Sequence, residues 1–359
     1  MKFKKWTALL LALAMVFALS ACKPAADDPD ENPSEDVSES IQPSEEPSEE
    51  PTATPDQPDE PSGTDKIRLA VLSGPTGVGA AKLLSDADAG NAPYEYTIAA
   101  ENSELVAGLS NGELDIATTA SNAAATLYNK TGGDVQIIAL GTLGVLHILE
   151  GNGGTSINSI ADLAGRTIYS AGQGANPEYI LRYLLQETIM DTAEVKVVFA
   201  DASEISAKLL SGEIECAMLP VPAATATIIK SEGSVREAVD VTEAWNDLHN
   251  GSQLVMTAVV ARTAFIEEHP DQVAQFLEDY AASIDYVTNN VDDAAELIAG
   301  YGITPNAAIA KQAIPQCHLT FISGKDMLPA ISDYFSVLYS LDPAAVGGSI
   351  PDDNIYYAP

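Results

Sequence analysis

Residues 104–117 read ELVAGLSNGELDIA and residues 204–217 read EISAKLLSGEIECA, nearly the same phrase written twice at a spacing of 100 residues. The likeness continues upstream, where 96–103 (YTIAAENS) lies opposite 196–203 (KVVFADAS). Each copy holds an apolar, strand-like run that ends in small and acidic residues. Ser103 or Ser203 then stands where a hydroxyl can accept an amide hydrogen from the first turn of a helix. Leu105 with Leu109, and Ile205 with Leu209, are i, i+4 pairs that give each helix one apolar stripe. Gly112 and Gly212 supply the left-handed residue that ends it. Short apolar strands follow at 114–119 and 214–219, with further helical stretches at 120–128 and 221–230. Strand-like runs at 66–72 and 166–171 precede each copy. Alternation of this kind predicts parallel sheets with right-handed crossovers and helices on both faces.

Two copies at so long a period do not make a solenoid. The expected fold is α/β with two lobes, each a central, mostly parallel sheet flanked by helices, joined by a two-strand hinge. Lobe 1 is read as 65–146 plus 262–359 and lobe 2 as 157–251. Apolar runs in 147–156 and 252–261 are read as the hinge crossings. Helical patterns at 271–289 and 292–299 complete the first lobe. A hinge between two lobes creates a cleft that opens and closes.

The chain begins MKFKKWTALLLALAMVFALSAC, a basic leader, a short apolar run and small residues. That pattern predicts a secretory signal over 1–21, too short for a comfortable membrane span. The segment 22–64 is mainly Pro, Ser, Glu and Asp. It has too few apolar side chains to offset its ordering entropy and is read as a disordered acidic tether. The formal net charge of −35 disfavours nucleic acid and anionic membrane surfaces as partners. Besides Cys22, the only cysteines are Cys216 and Cys317. Their placement in different lobes predicts two separate core thiols, although a secreted compartment permits a disulfide.

The LSAC ending at Cys22 resembles the lipobox of bacterial lipoproteins, whose cysteine becomes lipidated. Together with SGPTG at 73–77, LSNGELDIA at 109–117, SIADLAGRTI at 159–168 and GQGANPEY at 172–179, it makes the chain similar to solute-binding lipoproteins of bacterial ABC importers. These have the type II periplasmic-binding-protein fold, and the branch resembled is that of nitrate, sulfonate, taurine and thiamine-pyrimidine precursors. The resemblance implies a monomer outside the cell membrane, anchored in the bilayer through Cys22, with a small-molecule solute as cargo. An ABC permease and its ATPase are the implied protein partners, and no cofactor or metal is implied.

In open α/β sheets, ligands bind beyond the carboxyl ends of the strands, where helix N-termini present amide hydrogens. Strand-end loops that differ between the copies are therefore the candidate site, and the repeated phrase itself the least expected place for it. GPTGVG at 74–79 lacks the Lys and Ser or Thr of a phosphate-binding P-loop, since Ala80 and Ala81 follow. Its glycines allow close approach to the backbone at Gly77, and Thr76 can hydrogen-bond there; a plain tight turn is the alternative. Thr119, Ser121 and Asn122 follow the third strand of copy one, and helix capping accounts for only one of them. Gln173, Asn176 and Thr142 complete the main candidates. Glu178 suits a helix dipole as well as a ligand, His147 a buried structural histidine as well as a contact, and Pro222 lies in a divergent loop. No Lys or Arg occurs in these loops, which predicts a small, polar, neutral or singly charged solute, such as a heterocycle held by Gln, Asn and Thr.

His147, His249, His269 and His318 include no pair at the close spacing of a helical metal site, and neither G-x-S-x-G nor C-x-x-C occurs. Pyrimidine-forming enzymes of thiamine synthesis share the fold implied, but the His and Cys groups of their chemistry are not found. The chain is read as a binding protein rather than an enzyme. A ligand-binding sensor or surface-interaction protein is the alternative.

Overall fold

The structure is a computed structural model that describes residues 66–248 and 251–359. The expected signal segment, Cys22, the tether and His249 lie outside the described residues. The chain runs β1 (Ile67–Leu72), α1 (Pro75–Asp88), β2 (Tyr94–Ala99), α2 (Asn102–Asn111), β3 (Ile116–Ala120), α3 (Ser121–Thr131) and β4 (Val135–Thr142). It then forms β5 (Leu146–Glu150), β6 (Thr167–Ser170), α4 (Asn176–Thr188), β7 (Lys196–Phe199), α5 (Ala202–Ser211), β8 (Cys216–Pro220), α6 (Ala223–Lys230), β9 (Arg236–Asp240) and α7 (Val241–Asp247). Last come β10 (Thr257–Arg262), α8 (Thr263–Glu268), α9 (Pro270–Asn289), α10 (Val291–Gly300), α11 (Ala307–Ala313), β11 (Leu319–Ser323) and α12 (Met327–Leu341).

Two sheets result, one ordered β11-β4-β10-β3-β1-β2 and the other β7-β6-β8-β5-β9. Apart from the edge strand β11, they match strand for strand, β2 with β7, β1 with β6, β3 with β8, β10 with β5 and β4 with β9. The repeat thus encodes two copies of one sheet plan. Leu105, Leu109, Ile205 and Leu209 are all buried on it, each contributing about 1.5–3 kcal/mol of transfer free energy. Gly112 and Gly212 end α2 and α5 at φ 78 and 76, a conformation that costs other residues steric energy.

The helix starts differ from expectation. Glu101 caps α2, in a reciprocal capping box with Glu104, and Asp201 precedes α5. Ser103 and Ser203 therefore lie inside the first turns.

Both sheets are mixed rather than purely parallel, because β10 and β5 run against their neighbours. The reason is geometric. The chain leaves the first sheet at the carboxyl end of β4 and reaches the second at its carboxyl edge, so the strand it next forms must run backwards. The return journey imposes the same direction on β10. The runs read as hinge crossings therefore carry these strands: 146–150 pairs between β8 and β9, and 257–262 between β3 and β4. The connecting segments are the shorter 143–145 and 251–256.

Each lobe also buries one carboxylate on arginine. Asp115 accepts from the Arg68 amide at 3.0 Å, Arg68 Nε at 2.9 Å and Arg262 Nη2 at 2.7 Å, tying β1 to β10 beside β3. Glu150 is held by Ser156, Ile157 and Arg236 in the second lobe. Burial by itself would raise the Asp115 pKa, but the hydrogen bonds from Arg68 and Arg262 outweigh it and hold the carboxyl below its ordinary value. Cys216 and Cys317 are both free and buried, and burial pushes each thiol up to about 12.

A carboxyl whose pKa is depressed by folding contributes stability that is complete above its unfolded value and lost as pH falls through the folded one. Thermal melts of the wild type should therefore lose midpoint below about pH 4, and Asp115→Asn should lose less over that range. At neutral pH the variant should be less stable by about 1–3 kcal/mol. Equal acid sensitivity in both proteins would show that Asp115 is not a source of that slope.

Candidate functional site

The carboxyl ends of β1, β3, β6 and β8 converge on a cavity of about 660 Å³ between the two sheets, where Leu72, Ala120, Gly172 and Pro220 form part of its wall. Five helices begin there, with Thr76 of α1, Asn102 of α2, Asn176 of α4, Ser203 of α5 and Ala223 of α6 on the lining. Amides in a first helical turn have no acceptor within the helix, so these ends direct partial positive charge at the cavity.

The wall is otherwise largely apolar. Val145 and Met256 line it from the two connecting segments, Ala207, Leu210 and Ala226 from α5 and α6, and Ile303 and Pro305 from the opposite lobe. Several of its polar groups are already engaged. Thr76 Oγ1 donates to the Leu72 carbonyl at 2.5 Å, Thr227 Oγ1 lies 2.8 Å from Ser206 Oγ, and Thr257 donates to Thr142 at 2.7 Å. Asn102 Oδ1 accepts from Thr119 Oγ1 at 2.7 Å and from the Ala120 amide at 3.1 Å, which leaves its NH2 group uncommitted. Among the described residues, that NH2 group, the Ser73 and Ser203 hydroxyls and the Lys230 ammonium are polar side-chain groups of the lining without an internal partner. All four can donate hydrogen bonds.

Asn176, Thr76 and Pro222 are the sequence candidates on this wall. The others are placed elsewhere for definite reasons. Gly77 lies within α1, where an added Cβ would stand 3.0 Å from the Ile303 side chain; the GPTGVG stretch is largely helix rather than loop. Thr119 and Thr142 are turned into the hydrogen bonds just described. Ser121 is fully buried, donating to the Val255 carbonyl at 2.5 Å. Asn122 points its amide at the Gly174 carbonyl, 3.4 Å away, and its Oδ1 is buried without a partner. Gln173 is exposed beyond the lining. Glu178 accepts from the Gly174 amide at 2.8 Å, closing its own first turn. His147 is buried on β5, away from the cavity.

Ser203, Ser206, Ala207 and Leu210 also line the cavity, and all but Ser203 lie inside the repeated phrase of copy two, where a site was least expected. The copies also differ where Asn102 stands opposite Ala202, one residue before the shared serine, at the starts of the helices after the second strands. Lys230 ends α6, the helix that starts directly after Pro222, and the packing of α5 against α6 brings it to the rim.

The lobes are joined behind the cavity through Asn176, which is fully buried at the start of α4. Its Nδ2 donates to Ser121 Oγ at 3.0 Å and to the Met256 carbonyl at 2.8 Å, and its Oδ1 accepts from the Tyr334 hydroxyl at 3.0 Å. Burial drives the Tyr334 phenol far above its ordinary pKa and keeps it a donor. Trp245, itself fully buried, packs its ring between Tyr183 and Tyr334, with centroids 4.9 and 5.8 Å away.

Two sheets facing each other across a cavity, with two connecting segments at its back, make the two-lobed arrangement of the periplasmic-binding-protein fold. The sequence matches the NMT1/THI5-like family over residues 95–294, and the chain belongs to that family. No curated protein matches the sequence. Among solved structures, an ABC transporter protein from Parabacteroides distasonis is 23% identical, with a TM-score of 0.68 over 82% of this chain and 99% of that one. The periplasmic aliphatic sulphonate binding protein SsuA from Escherichia coli is 14% identical, with a TM-score of 0.66 over 83% and 93%. The alkanesulfonate-binding protein SsuA from Xanthomonas axonopodis pv. citri, bound to MOPS, is 11% identical with a TM-score of 0.61 over 81% and 96%. No helix among the described residues is long and apolar enough to cross a membrane.

Asn176→Ala removes the most buried polar node at the boundary between the lobes and leaves Ser121 and Tyr334 short of partners. Denaturant melts should show a loss of about 2–4 kcal/mol. A loss below about 0.5 kcal/mol would mean that this node does not hold the lobes together.

Proposed function

We propose that this chain is the extracytoplasmic solute-binding component of an ABC import system, tethered through a lipidated Cys22, which delivers its cargo to a permease driven by a separate ATPase. The observation that carries this reading is the 660 Å³ cavity between the lobes, into which five helix N-termini open. Among the described residues Lys230 is the one ionisable side chain on its lining, so the wall offers contacts and hydrogen-bond donors but no histidine, carboxylate, tyrosine or cysteine to pair with it in general acid–base catalysis. That composition supports binding over catalysis.

The same wall refines the solute. It favours a molecule with an apolar body against Ala207, Leu210, Ala226 and Ile303 and a single acceptor-rich head, neutral or monoanionic, met by Asn102, Ser203 and Lys230. A multiply charged anion would need more than one cation to offset its desolvation. Solute that touches both lobes binds the closed form better than the open one and shifts the equilibrium by that difference.

Titration calorimetry with short-chain alkanesulfonates, alkanecarboxylates, neutral pyrimidines and inorganic sulfate tests this assignment. Binding is expected for one of the monoanions or neutral compounds and not for sulfate. Ala207→Trp should block it with folding intact. Because Lys230 is exposed, Lys230→Gln should weaken a monoanion only about two- to fivefold. Tight binding that is unaltered by Ala207→Trp would place the solute outside this cavity.

A further inference from the structure

At the edge of the second sheet the pairing of β5 with β9 is interrupted. His147 stands opposite Asp240 and Ile148 opposite Val239, but Leu149 stands opposite Glu237, so β9 carries Ala238 as an extra residue. Residues three apart in a regular strand point to opposite faces. The bulge rephases β9, so Glu237 and Asp240 share the face to which His147 and Leu149 point. One ligand atom from each of His147, Glu237 and Asp240 lies within 4.8 Å of the other two. His147 Nδ1 is 3.3 Å from Glu237 Oε1.

The histidine is 5% exposed, and among the described residues neither of its ring nitrogens makes a hydrogen bond of good geometry, Glu237 Oε1 approaching Nδ1 off the bonding direction. Leaving such a group unsatisfied is costly. Asp240 is held in place from behind, because its carboxylate caps α7 by accepting from the amides of Thr242 at 2.7 Å and Glu243 at 3.2 Å. The Glu237 side chain is 43% exposed, so one side of the cluster is open to solvent.

We propose that His147, Glu237 and Asp240 form a divalent-cation site, best matched to zinc. Two carboxylates balance the charge of the ion, and a neutral imidazole favours zinc over magnesium or calcium, which take oxygen ligands. Zinc bonds nitrogen and oxygen at about 2.0–2.2 Å, which sets neighbouring tetrahedral ligands about 3.3–3.5 Å apart. The His147–Glu237 separation already has that value. Water takes the fourth position on the open side. The ion would pin the bulged edge strand β9 to β5, the strand that follows the first connecting segment, and so stiffen the sheet next to the hinge. This site is separate from the cavity and does not depend on the solute.

The test uses the intact protein freed of metal with a chelator and titrated with zinc chloride by calorimetry, alongside thermal melts. The wild type should bind one equivalent and gain melting temperature, with no such gain from magnesium. Glu237→Gln, on an exposed side chain that leaves folding intact, and His147→Gln should each weaken the zinc affinity about tenfold or more. Absence of zinc-dependent heat and midpoint shift in the wild type overturns the proposal. So does wild-type titration by Glu237→Gln, which would place any bound zinc on other histidines.

Discussion

The Asn176 carboxamide gives both of its hydrogens across the boundary between the lobes, to Ser121 and to the connecting segment at Met256, and takes one from Tyr334. It is fully buried, so each of those bonds forms where water cannot substitute for it, and the loss of any partner is expensive. The residue also stands on the cavity wall. The group that fixes how α4 meets α3 and α12 therefore fixes the back of the cavity as well. Apolar packing supports the same junction, since one continuous core cluster includes Leu140, Val145, Leu146, Met256 and Tyr334. Hydrophobic contact supplies adhesion without direction, while the amide supplies a register.

The cavity follows from strand direction. Parallel strands place their carboxyl ends and the following helix starts on one edge. Turning two such edges toward each other makes an apolar-walled chamber with partial positive charge at its ends. The chain must cross at that edge, and the crossing sets the reverse direction of β5 and β10. The same constraint shortens the true connections to 143–145 and 251–256. Gly144 shows how tight the first is: an added Cβ would stand 2.1 Å from Thr242 Oγ1, so no larger residue fits unless Thr242 moves.

Much of the fold was legible because it rests on local chemistry. The stripe of Leu105 and Leu109, its copy at Ile205 and Leu209, the glycine stops and the long pattern that became α9 are all set by residues within a few turns of one another. The candidate site was less legible. Asn176 and Thr76 were visible as polar residues at strand ends. Thr119, Ser121 and Thr142 looked equivalent to them in the sequence and are turned inward. A strand-end hydroxyl can serve a ligand or its own backbone, and local sequence does not distinguish the two.

By itself, then, the sequence determined two copies of one α/β plan and the course of their helices, because apolar periodicity and glycine stops act over a few residues. Tertiary structure decided which polar groups remain uncommitted at the cavity. It also brought Lys230 and Leu210 to the rim and set His147 beside Glu237 and Asp240. These outcomes depend on packing between segments far apart in the chain, and on a one-residue bulge whose effect exists only once β9 is paired with β5.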